Sequence, residues 1–160
     1  MKFVCNTSPL IFLGKISRLN LLPRLYGEGI VPVSVVAEIR AKPTKEVQHI
    51  EELWQSRQFQ VREASRTILE GLPAELGAGE RETIALALEL PSDLIILDDQ
   101  EGRRIARERG IPITGTIGVL VEARAQGFIP AMRPELDRLI EQGIWINKAF
   151  YDRILREFGE

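Results

Sequence analysis

The stretch Ser92–Gly102, SDLIILDDQEG, decides the fold of this chain. Its apolar run Leu94–Leu97 has the length and composition of a strand that is buried on both faces, as strands of parallel sheets are. The run stops at Asp98 and Asp99, and a helical pattern follows. Because parallel strands are joined through helices, this strand-to-helix step predicts an α/β chain.

The same step recurs outward in both directions along the chain. Residues Lys2–Cys5 predict a first strand, Ile30–Val31 a second, QFQVRE an edge strand with Phe59 and Val61 on one face, and IPIT a last strand. Ser8 is expected to cap the first helix, with Pro9 at its first position. We expect residues 1–160 to form one domain, with residues 133–160 as a C-terminal helical extension packed on it.

Composition narrows the class of protein. The chain has 160 residues, of which 44% are hydrophobic and 28% charged, and a formal net charge of −2. This charge argues against coating nucleic acid by bulk electrostatics, but it permits a local basic strip. The most basic stretch is QEGRRIARERG, for which a solvated helix face is the favoured explanation. One cysteine, Cys5, excludes an internal disulfide, and with a single His49 it makes a zinc site improbable.

The sequence carries no membrane or secretion signal that we recognise. No apolar run approaches the roughly 20 residues of a membrane span, and the start of the chain lacks the pattern of a secretory signal. We therefore expect a cytoplasmic protein with no membrane partner.

Polar residues follow the ends of three predicted strands. Asn6 follows the first strand, Asp98 and Asp99 follow LIIL, and Thr114 and Thr116 follow IPI. In an open parallel sheet, ligands bind beyond the carboxyl ends of the strands. These side chains are therefore candidates for one site.

Two acids on helices border the same edge. Glu38 flanks the buried stripe of VSVVAEIRA, and Glu80 opens a helix after the glycine-rich LGAG. Each candidate also has a purely structural explanation: Glu38 as a surface acid, Glu80 as a complement to the helix dipole together with Glu82, Asp98 as a helix cap, and Asn6 as a turn residue. Their convergence on one edge favours a site.

Clustered carboxylates without histidine or cysteine are typically compensated by a hard divalent cation, Mg²⁺ or Mn²⁺. Such a site activates water against a phosphodiester, so the residues predict metal-assisted phosphodiester hydrolysis. Three other kinds of site are not supported by the sequence. GAGERET lacks the lysine of a nucleotide-binding P-loop, and GTIGVL lacks the glycine spacing of a dinucleotide-binding turn. Ser8 has no partner base nearby, as a hydrolase triad would require.

Five segments, in this order over nearly the whole chain, resemble the PIN-like domains: NTSPLIFL, VPVSVVAEI, LGAGERETIALALE, ILDDQEGRRIARERGIPITGTIGVLVEARAQGFI and the closing FGE. Within them the chain resembles a PIN-related family close to VapC-type toxins. The resemblance implies a three-layer α/β/α domain around a parallel sheet of four or five strands. It also implies Mg²⁺- or Mn²⁺-dependent RNA cleavage, usually by the toxin half of a toxin–antitoxin pair, with a small antitoxin protein as partner.

The resemblance also carries roles over to individual residues. The implied catalytic residues are Asn6, Glu38, Glu80 and Asp98. The implied metal ligands are Asp98, Glu80 and Asn6, with Asp99 as an alternative to Asp98. The implied substrate contacts are Thr7, Ser8, Arg103, Thr114 and Thr116. Asn6 departs from the acid of the family pattern, because an amide oxygen ligates metal without charge and cannot act as a base. The alternative is therefore a catalytically weak or inactive PIN-like module that binds RNA or an antitoxin without cleavage.

The tail is rich in aromatic side chains, namely Trp145, Phe150, Tyr151 and Phe158. Helical aromatics of this kind either form a homodimer interface or belong to the core. The sequence leaves both open.

Overall fold

The computed structural model describes residues 1–160. Its strands are β1 Lys2–Cys5, β2 Glu28–Pro32, β3 Phe59–Arg62, β4 Leu94–Ile96 and β5 Ile113–Thr114. Its helices are α1 Thr7–Lys15, α2 Leu21–Tyr26, α3 Val33–Ala41, α4 Val47–Trp54, α5 Arg66–Glu70, α6 Ala78–Glu89, α7 Gln100–Glu108, α8 Thr116–Ala125, α9 Arg133–Glu141 and α10 Lys148–Glu157.

The strands form one parallel sheet in the order β3-β2-β1-β4-β5. The chain thus builds outward from β1 first on one side and then on the other, so the topological switch point lies between β1 and β4. Cys5 pairs with Ile96, and Ile96 with Thr114. The N–H of Asn6 donates to the Ile96 carbonyl at 3.0 Å, which carries this pairing one residue beyond β1.

Both faces of the sheet are buried. Phe3 and Cys5 of β1 pack into the larger of two apolar clusters, together with residues of α1, α8 and α9, whereas Val4 packs into the smaller one with residues of α6 and α7. Because successive side chains of a strand point to opposite faces, this alternation requires a helical layer on each side. The expected three-layer α/β/α architecture with a parallel sheet is confirmed.

Two local expectations are corrected. Helix α1 begins at Thr7, so Asn6, and not Ser8, occupies the N-cap position, and Pro9 is the third helical residue. The sequence predicts Phe59 and Val61 on one face of the edge strand, but Phe59 is buried whereas Val61 is 41% exposed. Of the two side chains, only the ring of Phe59 reaches the core, where it packs edge-on against Phe3.

The last two helices pack onto the α8 side of the sheet. Their apolar residues Leu136, Leu139, Ile154 and Leu155 enter the larger cluster. The division of the chain into residues 1–132 and an extension 133–160 stays a prediction. No helix of the chain is both long and apolar enough to cross a bilayer.

The buried carboxylate of Glu82 connects helix α6 by hydrogen bonds to the start of α3 and to the segment after β3. Glu82 of α6 is only 6% exposed. It accepts hydrogen bonds from the backbone N–H and the hydroxyl of Ser34, both at 2.7 Å, and from the N–H of Ala64 at 3.1 Å. Since Ser34 lies in the first turn of α3, Glu82 fixes where that helix starts.

We expect Glu82→Ala to lower the free energy of unfolding by about 2–5 kcal/mol, because the buried N–H of Ala64 and the partly buried N–H of Ser34 lose their acceptor. Urea unfolding measures this change. Glu89→Ala is the matched control, since Glu89 of the same helix accepts only the exposed N–H of Ser65, at 3.0 Å. Equal losses in the two variants would contradict the structural role of Glu82.

A second carboxylate holds the start of α9 from the far end of the tail. The side chain of Glu160 accepts the N–H of Met132 at 2.8 Å and that of Arg133 at 3.0 Å. Burial raises the pKa of Glu160, but these two N–H groups and the neighbouring Arg124 outweigh it and lower the pKa below its ordinary value of 4.5. The ionised side chain therefore caps α9 and stabilises the fold.

We expect Glu160→Gln to be less stable than the wild type by about 1 kcal/mol at neutral pH, because the hydrogen bonds lose their charge. A carboxyl whose pKa is lowered by folding contributes its full stability above the unfolded pKa and loses it as the pH falls. The difference between the two proteins should thus be complete above about pH 4.5, shrink as the pH falls below that value, and vanish only once the pH has passed the lowered pKa of the folded state. Thermal unfolding from pH 3 to pH 7 measures it; a pH-independent difference would count against this cap.

Candidate active site

The carboxyl ends of β1, β4 and β5 place most of the predicted site residues along one edge of the sheet. Asn6 follows β1, Asp98 lies two residues after β4, and Thr116 lies two residues after β5. Helices α3 and α6 bring Glu38 and Glu80 to the same edge. The side chains form two neighbouring sets, one around Asn6 and one around Asp98.

The first set consists of Asn6, Thr7, Glu38 and Glu80. Asn6 is 2% exposed, and its amide Nδ2 donates to Oε1 of Glu80 at 3.4 Å. The hydroxyl of Thr7 donates to Oε2 of Glu38 at 2.8 Å. Each acid of this set is therefore oriented by a neutral donor from the start of α1.

Gly79 allows the first set to form. A Cβ at this position would lie 3.1 Å from Oε2 of Glu38 and 3.2 Å from Oδ1 of Asn6. The missing side chain leaves a small space, the Gly79 cradle, on which a carboxylate oxygen and an amide oxygen converge. Two such oxygens facing one small space are a donor set suited to a hard divalent cation.

The second set centres on Asp98. Its Oδ1 accepts the N–H of Thr116 at 2.8 Å, and its Oδ2 accepts the Thr116 hydroxyl at 2.6 Å. The guanidinium of Arg103 lies beside it and donates to the Leu97 carbonyl at 3.0 Å. A Cβ on Gly115 would lie 2.6 Å from Asp98 Oδ1 and 2.8 Å from Arg103 Nη1, so only glycine leaves room for both side chains.

The charge of Asp98 acts on two neighbouring titratable groups, Cys5 and Arg103. Burial raises the pKa of the Cys5 thiol, and the Asp98 carboxylate raises it further. Burial and Arg107 lower the pKa of Arg103, while Asp98 acts in the opposite direction. The geometric connection between the two sets is the sheet itself, because the N–H of Asn6 donates to the carbonyl of Ile96, two residues before Asp98.

Asp98 and Asp99 have different tasks. The Asp99 carboxylate caps α7 by accepting the N–H of Gly102 at 2.7 Å, and the residue is exposed. The interpretation of Asp98 as the cap is thus wrong: Asp99 is the cap, and Asp98 faces the site. No three acidic, histidine or cysteine side chains surround a common point, so the metal role of Asp98, Glu80 and Asn6 stays a prediction.

The predicted substrate residues border a cleft beside Asp98. Ser8, Thr114, Thr116 and Arg103 line this cleft, whose volume is about 740 Å³. Thr7 lies outside its lining and is engaged with Glu38. Contact of these side chains with a substrate stays a prediction.

One residue of the site, Thr83, escaped the sequence reasoning, and its neighbour Glu82 has a structural role. Thr83 is fully buried; its hydroxyl donates to the Gly79 carbonyl at 2.7 Å and lies 3.3 Å from Oδ1 of Asn6. Glu82 supports α3 from beneath and does not join Glu80. Residues two apart on a helix lie on nearly opposite sides, so this spacing already indicated that Glu80 and Glu82 could not share one face.

The sequence matches a known protein family, and the fold is similar to solved structures. Residues 2–160 match the family DUF3368, which is described as a PIN domain. The fold is similar to that of the PIN domain endonuclease Utp24, with 13% identity, a TM-score of 0.53, and coverage of 71% of this chain and 84% of that one.

A second solved structure is a PilT N-terminus domain protein, SSO1118, from the hyperthermophilic archaeon Sulfolobus solfataricus P2. It is 20% identical with a TM-score of 0.49, and the match covers 77% of this chain and 93% of that one. No curated protein matches the sequence.

The parallel sheet, with its switch point between β1 and β4, agrees with the match along almost the entire sequence. The chain belongs to the PIN-domain family.

Proposed function

We propose that the chain is a metal-dependent endoribonuclease of the PIN type, which hydrolyses RNA phosphodiesters in the cytoplasm. The observation that carries this proposal is the position of Asn6, Glu38 and Glu80, with Asp98 in the neighbouring set, at the carboxyl edge of the sheet beside its switch point. Three carboxylates at one edge of a parallel sheet provide the oxygens that phosphodiester hydrolysis by a divalent cation requires.

Glu38, Glu80, Asn6 and Asp98 would hold Mg²⁺ or Mn²⁺. When bound, the cation supplies charge neutralisation of the phosphate and a more acidic water. The residues of the chain do the positioning: Thr7 orients Glu38, Asn6 orients Glu80, and Thr116 holds Asp98. Oε1 of Glu38 accepts no hydrogen bond from the protein, so it is available as a ligand.

Arg103 completes the site on the cleft side. Its guanidinium forms no ion pair within 4.0 Å and lines the cleft together with Thr114. A phosphate seated between them would receive donors from a charged and a neutral side chain. This arrangement supports binding of an RNA strand across the edge of the sheet.

A role as the toxin half of a toxin–antitoxin pair, with a small antitoxin protein as partner, follows from the resemblance to VapC-type toxins. The acidic edge suits a basic antitoxin segment by charge complementarity. We propose this partner as the regulator of the nuclease, and a homodimer as the form of the free protein.

One observation favours a second candidate function, an RNA-binding module without cleavage. Asn6 stands where the family pattern has an acid, and its amide is directed at Glu80. A neutral side chain removes one charge from the cation site and one possible base. The two candidates differ in whether RNA is cut.

Asp98→Asn tests the nuclease. We expect Mg²⁺- or Mn²⁺-dependent cleavage of RNA by the wild type and a loss of at least about 100-fold in the variant, since even outer partners of a metal ligand contribute about 10–100-fold. Cleavage of labelled RNA by protein freed of any partner measures it. Asp99→Asn is the matched control: Asn caps helices as well as Asp, and activity should remain.

Absence of cleavage by the wild type across varied RNAs and both metals would leave the binding module as the function. Cleavage that survives in Asp98→Asn but not in Asp99→Asn would reverse the assignment of the two acids.

Asn6→Asp tests the cation site without relying on activity. The new carboxylate would face Glu80 at hydrogen-bonding distance, so without divalent cations we expect a loss of about 1–3 kcal/mol of stability at neutral pH. Millimolar Mg²⁺ or Mn²⁺ should restore the Tm, because ligand binding stabilises the folded state. Thermal unfolding with chelator and with metal measures it.

Asn20→Asp, at an exposed position before α2, is the matched control and should show no metal-dependent shift. If Asn6→Asp also keeps its Tm and ignores divalent cations, the site does not bind metal at this edge.

A further inference from the structure

The cleft beside Asp98 extends well beyond the residues that the proposed chemistry uses. Its far half runs over α8 to the loop before α10 and is lined by Ile144, Trp145 and Phe150. Trp145 is 84% exposed and Phe150 is also exposed, so neither belongs to the core. Together these two exposed rings form an aromatic patch at one end of the cleft, of the kind that marks an interaction surface.

The same cleft carries three arginines, Arg103, Arg107 and Arg153. None of them forms an ion pair with a carboxylate of the chain. Arg104 differs: although it lies in the same helix as Arg107, it pairs with Glu101 and Glu108. The structure thus separates the basic stretch of α7 into arginines that face the cleft and one that is neutralised on the surface.

The aromatic and basic groups lie in one continuous surface. The guanidinium of Arg153 lies 5.1 Å from the ring centre of Phe150, in the same helix. Trp145 lies in the loop just before that helix, and Arg103 borders Asp98 at the other end of the cleft. Only Asp98 and Glu157 bring negative charge to the lining. Unpaired guanidiniums next to an exposed indole are the combination that binds single-stranded nucleic acid, because phosphates pair with arginine and bases stack on the ring.

We propose that this cleft is the binding channel for a single RNA strand: Arg103, Arg107 and Arg153 contact consecutive phosphates and Trp145 stacks on a base. The proposal rests on the proposed function, since it places the strand so that it leads to Asp98. A second copy of the chain would bury Trp145 equally well, but it would leave the arginines without anions. The three unpaired guanidiniums therefore favour a nucleic acid strand over an apolar partner.

Tryptophan fluorescence tests the channel directly, because the chain has two tryptophans and the other, Trp54, is 4% exposed. Trp54→Phe leaves Trp145 as the only indole. We titrate this variant with a short uridine oligonucleotide in the presence of chelator, so that nothing is cut. Binding should quench the fluorescence, as stacking of a base on the indole does.

Variants assign the contacts. In anisotropy titrations with labelled RNA, Trp145→Ala should weaken binding by about tenfold or more. Arg107→Gln and Arg153→Gln should each weaken it and reduce the slope of log affinity against log salt by about 0.7. The matched controls Arg104→Gln and Arg156→Gln, in α7 and α10 but outside the lining of the cleft, should bind as the wild type does.

Three results would overturn the channel. The first is no quenching in Trp54→Phe together with unchanged RNA affinity in Trp145→Ala. The second is an equal loss of affinity in Arg104→Gln and Arg107→Gln, which would indicate bulk attraction, and the third is sedimentation showing that Trp145→Ala breaks a dimer while RNA binding stays intact. A DNA oligonucleotide of the same sequence that binds equally would show that the strand is read without its 2′-hydroxyl and would still support the channel.

The two proposals fail separately. Quenching with chelator, without cleavage under any metal, supports the channel and refutes the nuclease. Cleavage by a Trp145→Ala protein with unchanged RNA affinity refutes the channel alone.

Discussion

The pairing of β1 with β4 is the constraint on which the rest of this structure depends. The two strands are distant in sequence, yet they lie side by side at the centre of the sheet with both faces buried. Their carboxyl ends therefore open at the same point, where no helix of the chain crosses from one to the other. Asn6 and Asp98 are neighbours because of this pairing, and the helices that cover the two faces bring Glu38 and Glu80 to them.

The amide of Asn6 changes the electrostatics of that edge. A carboxylate at the same place would repel Glu80, and one of the two acids would need a proton or a cation. The amide replaces this repulsion by a donated hydrogen bond at 3.4 Å. Each of the three carboxylates at the edge has its own donor, from Thr7, Asn6 or Thr116.

Most of the side chains at the carboxyl edge of the sheet could be predicted from the sequence, whereas the separate tasks of Asp98 and Asp99 and of Glu80 and Glu82 could not. The end of an apolar run locates Asn6 and the Asp98–Asp99 pair, because strands and their exits are local properties of the backbone. Which of the two aspartates faces the site depends on Gly115 and Thr116, which follow a different strand, β5, at the start of α8. Glu82 was grouped with Glu80 by charge alone, although helical geometry places the two on different sides.

By itself the sequence determined the alternation of strands and helices, the parallel sheet and the short list of polar side chains at strand ends, since these follow from hydrophobic periodicity over a few residues. Only the tertiary structure decided which of those side chains meet. The bond between Asn6 and Glu80 joins residues 74 positions apart, and the exposure of Trp145 beside unpaired arginines depends on how α10 packs over α8. Contacts of this kind depend on the three-dimensional packing of separate segments, and no local pattern encodes them.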